Sequence, residues 1–234
     1  MLLQACLNGM RLLSEHPAIP RTPSDLAAAG RAAVRAGAQE LHVHPRSADG
    51  TESLLPEDVD AAMTALREAC PGTAIGLTTN QRIVPNLAQR RACIDTWRVR
   101  PDFASVNIGE PHAPSVIGRM AARGIPCEAG LATVDDAHRY LAERARGMWV
   151  MRVMIEPDAD DVIGALAQAE AILDLLGDAA RAAPVMMHGF EASAWPLLDR
   201  ARAFGLSMRV GLEDTLHLRD GSLAPDNAAL LRDV

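Results

Sequence analysis

Gln39-Glu40-Leu41-His42-Val43-His44-Pro45 is the stretch from which the fold is read. Leu41 and Val43 alternate with Glu40, His42 and His44, the period-2 pattern of a β-strand, so aliphatic side chains take one face and both imidazoles the other. Helix signals flank it. Thr22-Pro23-Ser24-Asp25 supplies a hydroxyl cap and a first-turn proline ahead of Leu26–Arg35, and Pro56-Glu57-Asp58 opens Val59–Ala69 on the other side. The alternation continues along the chain. Strand-like runs number eight: Leu2–Asn8, Glu40–His44, Ala74–Asn80, Phe103–Gly109, Cys127–Ala132, Trp149–Ile155, Val185–Gly189 and Arg209–Glu213. Asp158–Asp161 precedes a further helix, Val162–Leu176.

Eight strands alternating with helices predict a (β/α)8 TIM barrel in the α/β class, one domain over residues 1–234. An open doubly wound sheet normally carries a glycine-rich first turn, and Leu7-Asn8-Gly9-Met10-Arg11 is not GxGxxG. After the eighth strand only Asp226–Val234 remains, which predicts a short C-terminal closing helix or closure by another subunit. In such a barrel the chemistry sits at the C-terminal ends of the strands.

Composition narrows the partners. The 234 residues are 49% hydrophobic, ample for a buried core, and carry a net charge of -7 with basic residues scattered singly. Nucleic acid and anionic membranes call for clustered cations, so small-molecule partners are expected. No run approaches the ~20 apolar residues of a membrane span, and the N-terminus reads as a first strand rather than a signal peptide. Cys6, Cys70, Cys93 and Cys127 lack CxxC spacing and read as reduced thiols, so a cytoplasmic location is expected.

Two imidazoles on one strand face are either core histidines or part of a metal site. Met208-Arg209-Val210-Gly211-Leu212-Glu213-Asp214 offers the third ligand, because alternation puts Arg209, Gly211 and Glu213 on one face and closure makes the first, second and eighth strands neighbours. A buried carboxylate beside two imidazoles is costly without a cation or proton. His42, His44 and Glu213 suit zinc with open positions, and manganese or iron is also compatible. Asp214 is placed to act as a general base, and Arg209 either pairs structurally with these acids or positions Asp214 and a substrate anion. Thr78, Thr79 and Asn80 end the third strand as turn caps or substrate contacts. Ser105 and Asn107 on the fourth strand and Glu128 on the fifth require polar partners, from substrate or from a network. His188 ends the seventh strand at the same face, whereas His16, His112, His138 and His217 read as surface or loop residues.

Leu41-His42-Val43-His44 followed by Asp49-Gly50, together with Arg209-Val210-Gly211-Leu212-Glu213-Asp214, resembles the β-keto acid cleavage enzymes. Asn8-Gly9, Glu15-His16-Pro17-Ala18-Ile19-Pro20, Thr78-Thr79, Ser105-Val106-Asn107 and Glu128 fall in family order, so the resemblance spans nearly the whole chain. It implies a zinc-binding TIM barrel in which acetyl-CoA and a β-keto acid are exchanged for acetoacetate and a new CoA ester. It also implies His42, His44 and Glu213 as ligands, Asp214, Arg209 and Thr78 as a basic relay, and a homotetramer or homodimer. Thr78 stands where the lysine-fermentation member has Ser, Asn80-Gln81 replaces two glycines, and Arg11 lies near that member's Glu for an amino substrate. Arg11 would repel an ammonium group, so a neutral or anionic substrate side chain beside Arg11 is expected. The chain is also shorter than usual for the family, chiefly at the C-terminus. Alternatives are a metal-dependent aldolase, lyase or hydrolase on the same barrel, or a non-catalytic metabolite-binding barrel.

Overall fold

A computed structural model describes residues 1–12, 14–179 and 183–234. Its strands are β1 (Leu3–Cys6), β2 (Glu40–Val43), β3 (Ala74–Thr78), β4 (Phe103–Asn107), β5 (Cys127–Leu131), β6 (Arg152–Ile155), β7 (Val185–Met187) and β8 (Ser207–Val210). All pair in parallel and in chain order, and β8 returns to β1 with Leu3 opposite Met208, closing the barrel.

The helices are α1 (Pro23–Arg35), α2 (Pro56–Ala69), α3 (Leu87–Thr96), α4 (Ala113–Ala122), α5 (Val134–Ala145), α6 (Val162–Leu176), α7 (Ala194–Ala203) and α8 (Asn227–Arg232). Their starts follow local chemistry. Thr22 and Asp25 form a reciprocal capping box at α1, and Asp161 caps α6 by accepting from Gly164 N–H. Short closing helix α8 is capped by Asp226 and packs on α1 and β1. Asn227 ties the seam by donating to Leu7 O at 2.9 Å and accepting from Leu212 N–H at 2.8 Å.

Alternation along the strands separates two interiors. Leu41, Val43, Ile75, Leu77, Val106, Val153 and Val210 face outward into the apolar layer beneath the helices. The opposite set fills the barrel and is mostly polar: Gln4, Glu40, His42, Ser105, Glu128, Arg152 and Arg209 are all buried there. Low in the barrel, Arg152 donates through Nε to Glu128 Oε2 at 2.7 Å and through Nη2 to Glu40. Its guanidinium lies 4.9 Å from the Phe103 ring centroid. Gly76 makes room for that ring, since a Cβ there would meet Phe103 at 2.1 Å.

Most ladders end earlier than the alternation predicts. β8 stops at Val210 because Gly211 comes against Cys6 O and the chain then turns, with Asp214 N–H and Thr215 N–H both donating to Gly211 O. Glu213 and Asp214 therefore stand on a tight turn above the strand. β6 begins at Arg152 rather than Trp149, whose indole is exposed. His16, read as a surface or loop residue, lies in the loop after β1 but is buried, and its Nδ1 accepts from Ala18 N–H at 3.1 Å. No helix of the described residues is long and apolar enough to cross a membrane.

Candidate metal centre and active site

His42 from β2, His44 from the turn after it and Glu213 from the turn after β8 bring one donor atom each within 4.8 Å of one another. His44 Nε2 lies 3.1 Å from His42 Nε2 and 3.5 Å from Glu213 Oε1, and His42 Nε2 lies 3.8 Å from Glu213 Oε2. Gly9 lets Glu213 approach: its φ is +54° and a Cβ there would stand 2.3 Å from Glu213 Cγ.

Outer contacts fix the tautomers. Ser105 Oγ donates to the acceptor-only carboxylate of Glu128, so it accepts from His42 Nδ1, 3.1 Å away, and leaves His42 Nε2 with its lone pair. His44 Nδ1 faces Glu52, another carboxylate, and so carries a proton that leaves its own Nε2 as the free acceptor. Two imidazole lone pairs then confront each other beside Glu213 Oε2, a buried oxygen with no hydrogen-bond partner among the described residues. Such an arrangement requires a cation or an added proton, and a divalent metal fits the donor set.

The protonation preferences follow the same geometry. Burial, reinforced by Arg209 and by the neighbouring His44, pushes His42 down to about 3. Burial also disfavours a charged His44, but Glu213 and Glu52 outweigh it and raise that imidazole to about 9. Glu213 would be raised by burial, yet Arg209 and the two histidines hold it well below the usual carboxylate range. Asp214 is likewise lowered, burial being outweighed by Arg209 and His188.

Above the cluster opens a cavity of about 340 Å³. Of the residues expected from sequence, Arg11, His42, His44, Thr78, Asn80, Ser105, Asn107, Arg209 and Glu213 line it. Thr79 does not, because its hydroxyl donates to Ser105 O at 2.7 Å. Glu128 lies beneath the floor, fully buried. Asp214 lies behind the wall: Oδ2 accepts from Cys6 Sγ at 2.6 Å and Oδ1 from Arg209 Nη2 at 3.2 Å. The same Nη2 also donates to Glu213.

Sequence reasoning passed over Glu156, Glu52 and Arg82. Glu156 lines the cavity from the end of β6, and His188 stands between its Oε2 at 3.3 Å and Asp214 Oδ1 at 3.4 Å. Period-2 alternation from Arg152 through Met154 to Glu156 carried that signal. His188, left open from sequence, is fully buried in this bridge, where burial and Arg209 oppose its charge but Asp214 and Glu156 raise its proton affinity.

The family model for β-keto acid cleavage enzymes matches residues 1–234. The chain belongs to the β-keto acid cleavage enzyme family. Two curated relatives named 3-keto-5-aminohexanoate cleavage enzyme are similar over the whole chain. The Fusobacterium nucleatum protein is 26% identical with 89% of its length covered, and that of Acetoanaerobium sticklandii 25% identical with 90% covered. A 3-oxoadipate:acetyl-CoA acetyltransferase of Cupriavidus necator is 25% identical over 94% of this chain and 81% of its own. Among solved structures, a ternary complex of ObcA with a C4-CoA adduct and oxalate superposes with a TM-score of 0.76 at 16% identity. That likeness covers 92% of this chain and 62% of the other, and it bears on the fold alone.

Proposed function

We propose that the enzyme exchanges a β-keto acid with acetyl-CoA to give acetoacetate and a new acyl-CoA, at a zinc ion held by His42, His44 and Glu213. The observation that carries this reading is the convergence of two imidazole Nε2 atoms on a carboxylate whose Oε2 has no hydrogen-bond partner among the described residues, at the floor of a cavity walled by Arg209. Bound there, the ion supplies Lewis-acid polarisation of the keto acid's oxygens.

The chain's own residues supply the remainder. Arg209 moves its Nη2 hydrogen bonds from Glu213 and Asp214 to the substrate carboxylate, which uncovers Asp214. Asp214 then takes a proton from C2 of the keto acid. While Arg209 and His188 face it the proton affinity of Asp214 is lowered, and moving the Arg209 contacts to the substrate relieves part of that lowering as the base is called on. The C2 carbanion attacks the thioester carbonyl of acetyl-CoA and expels CoA thiolate. The thiolate adds to the C3 carbonyl, and retro-Claisen cleavage of the C2–C3 bond releases the new thioester and the enolate of acetoacetate. Asp214 returns its proton to that enolate, and Thr78 hydrogen-bonds the reacting oxygen from the end of β3.

Incubating the metal-loaded protein with acetyl-CoA and a panel of β-keto acids tests the reading. Acetoacetate and the matching acyl-CoA are expected in equal amounts. Consumption of substrate without acetyl-CoA would mark a hydrolase or lyase, and no turnover across the panel would leave a binding barrel.

A further inference from the structure

Three arginines line the cavity, and two are already neutralised within the protein. Arg209 is shared by Glu213 and Asp214. Arg11, expected to meet the substrate's variable end, is instead held at the rim. Its Nη1 pairs with Glu15 at 3.1 Å, its Nη2 with Glu191, and its Nε donates to Leu212 O at 3.1 Å. Arg82, from the loop after β3, differs. Its Nε donates to the amide oxygen of Asn80 at 3.3 Å and its Nη2 lies against the Met10 sulphur, with no carboxylate in either contact.

Arg82 is an exposed guanidinium with no acidic partner among the described residues, at the mouth of a cavity that also holds Arg209 and the His42, His44 and Glu213 trio, and it is placed to read a negative charge at the substrate's far end. Building on the β-keto acid reading above, we propose that the substrate is a β-keto acid whose far end carries a carboxylate, and that Arg82 recognises that end. Met10, on the other side of Arg82, supplies an apolar wall along the connecting methylenes. Asn80 holds the guanidinium over the cavity through Oδ1, which also accepts from Arg82 N–H at 2.9 Å. Arg11 then has a different task. With Glu15 and Glu191 it fastens the loop after β1 to the turn after β7, and its charge is engaged by those two carboxylates.

The test compares two β-keto acids of equal length, one ending in a carboxylate and the other in the isosteric primary amide, in the wild type, Arg82→Gln and Arg82→Lys, with KM for acetyl-CoA recorded alongside. Wild type is expected to favour the carboxylate by about 10- to 100-fold in kcat/KM, the scale of one charge-assisted contact. In Arg82→Gln that ratio falls toward unity, and Arg82→Lys recovers part of it. Equal turnover of the two acids by wild type, or a ratio unmoved in Arg82→Gln, overturns the assignment while leaving the β-keto acid reading intact. A rise confined to the KM for acetyl-CoA also overturns it, since Arg82 would then be reading a CoA phosphate. No turnover of either acid defeats the β-keto acid reading and this assignment together.

Discussion

Two layers of one barrel carry buried carboxylates, and they treat them differently. Low in the barrel Glu40 and Glu128 are matched by Arg152, with Gln4 donating to both acids at 3.4 Å. One layer higher Glu213 shares Arg209 with Asp214, keeps Oε2 without a hydrogen-bond partner among the described residues and faces the Nε2 atoms of two imidazoles. In the lower layer no buried carboxylate oxygen is left without a hydrogen-bond partner among the described residues, and it serves as scaffold; in the upper one Glu213 Oε2 is left so, beside two imidazoles, which is where a cation fits. Chemical composition alone does not distinguish them, since each contains acids and an arginine. Satisfaction of the carboxylate oxygens does.

That contrast orders the expected effects. The largest belongs to the upper layer: Asp214→Asn should lower kcat about 100- to 10,000-fold while metal content stays at the wild-type level, checked by steady-state kinetics beside elemental analysis. A parallel loss of metal would mean that Asp214 only supports Glu213. Next comes an attack on the lower layer. Arg152→Met strands two buried carboxylates and should cost about 3–5 kcal/mol in a denaturant titration, while any folded fraction still binds metal. A third change lies at the border of the upper layer: Glu52→Gln weakens orientation of His44 and should reduce metal affinity about 10- to 100-fold by competition with a chelator, with little change in fold.

The smallest effect tests the link between the layers. Ser105 joins His42 to Glu128, and Ser105→Ala should cost about 1 kcal/mol of stability. It should also move acid unfolding to higher pH. Burial would raise Glu128, but Arg152, His42 and Ser105 hold it below its ordinary value. Its contribution is therefore present above the unfolded pKa, near ~4.3, and disappears as pH falls through the lower folded value. Loss of Ser105 narrows that window from below. An acid midpoint unchanged in Ser105→Ala would mean that the two layers are independent.

The barrel was legible because its signal is local: alternation in Glu40–His44 and caps such as Thr22 and Asp161 need only neighbouring residues. The candidate metal trio was legible in two steps. His42 and His44 are two residues apart, and closure from β8 to β1 carries Glu213 to them. Ion pairs across the barrel were not, because Arg152 and Glu40 meet over 112 residues of sequence with no local mark of the pairing. Arg11 shows the same limit in reverse. Its position near the cavity was readable, but its neutralisation by Glu191, 180 residues away, was not. Thr79 was indistinguishable from Thr78 until the strand end showed which hydroxyl turns to Ser105 O.

The central claim is that the upper layer is completed by a metal ion, and elemental analysis of the purified protein tests it most directly. About one zinc per chain is expected in the wild type and in Ser105→Ala, and none is expected in His44→Ala or Glu213→Gln. A wild-type protein that takes up no stoichiometric divalent metal, or a His44→Ala protein that keeps it, would contradict the account.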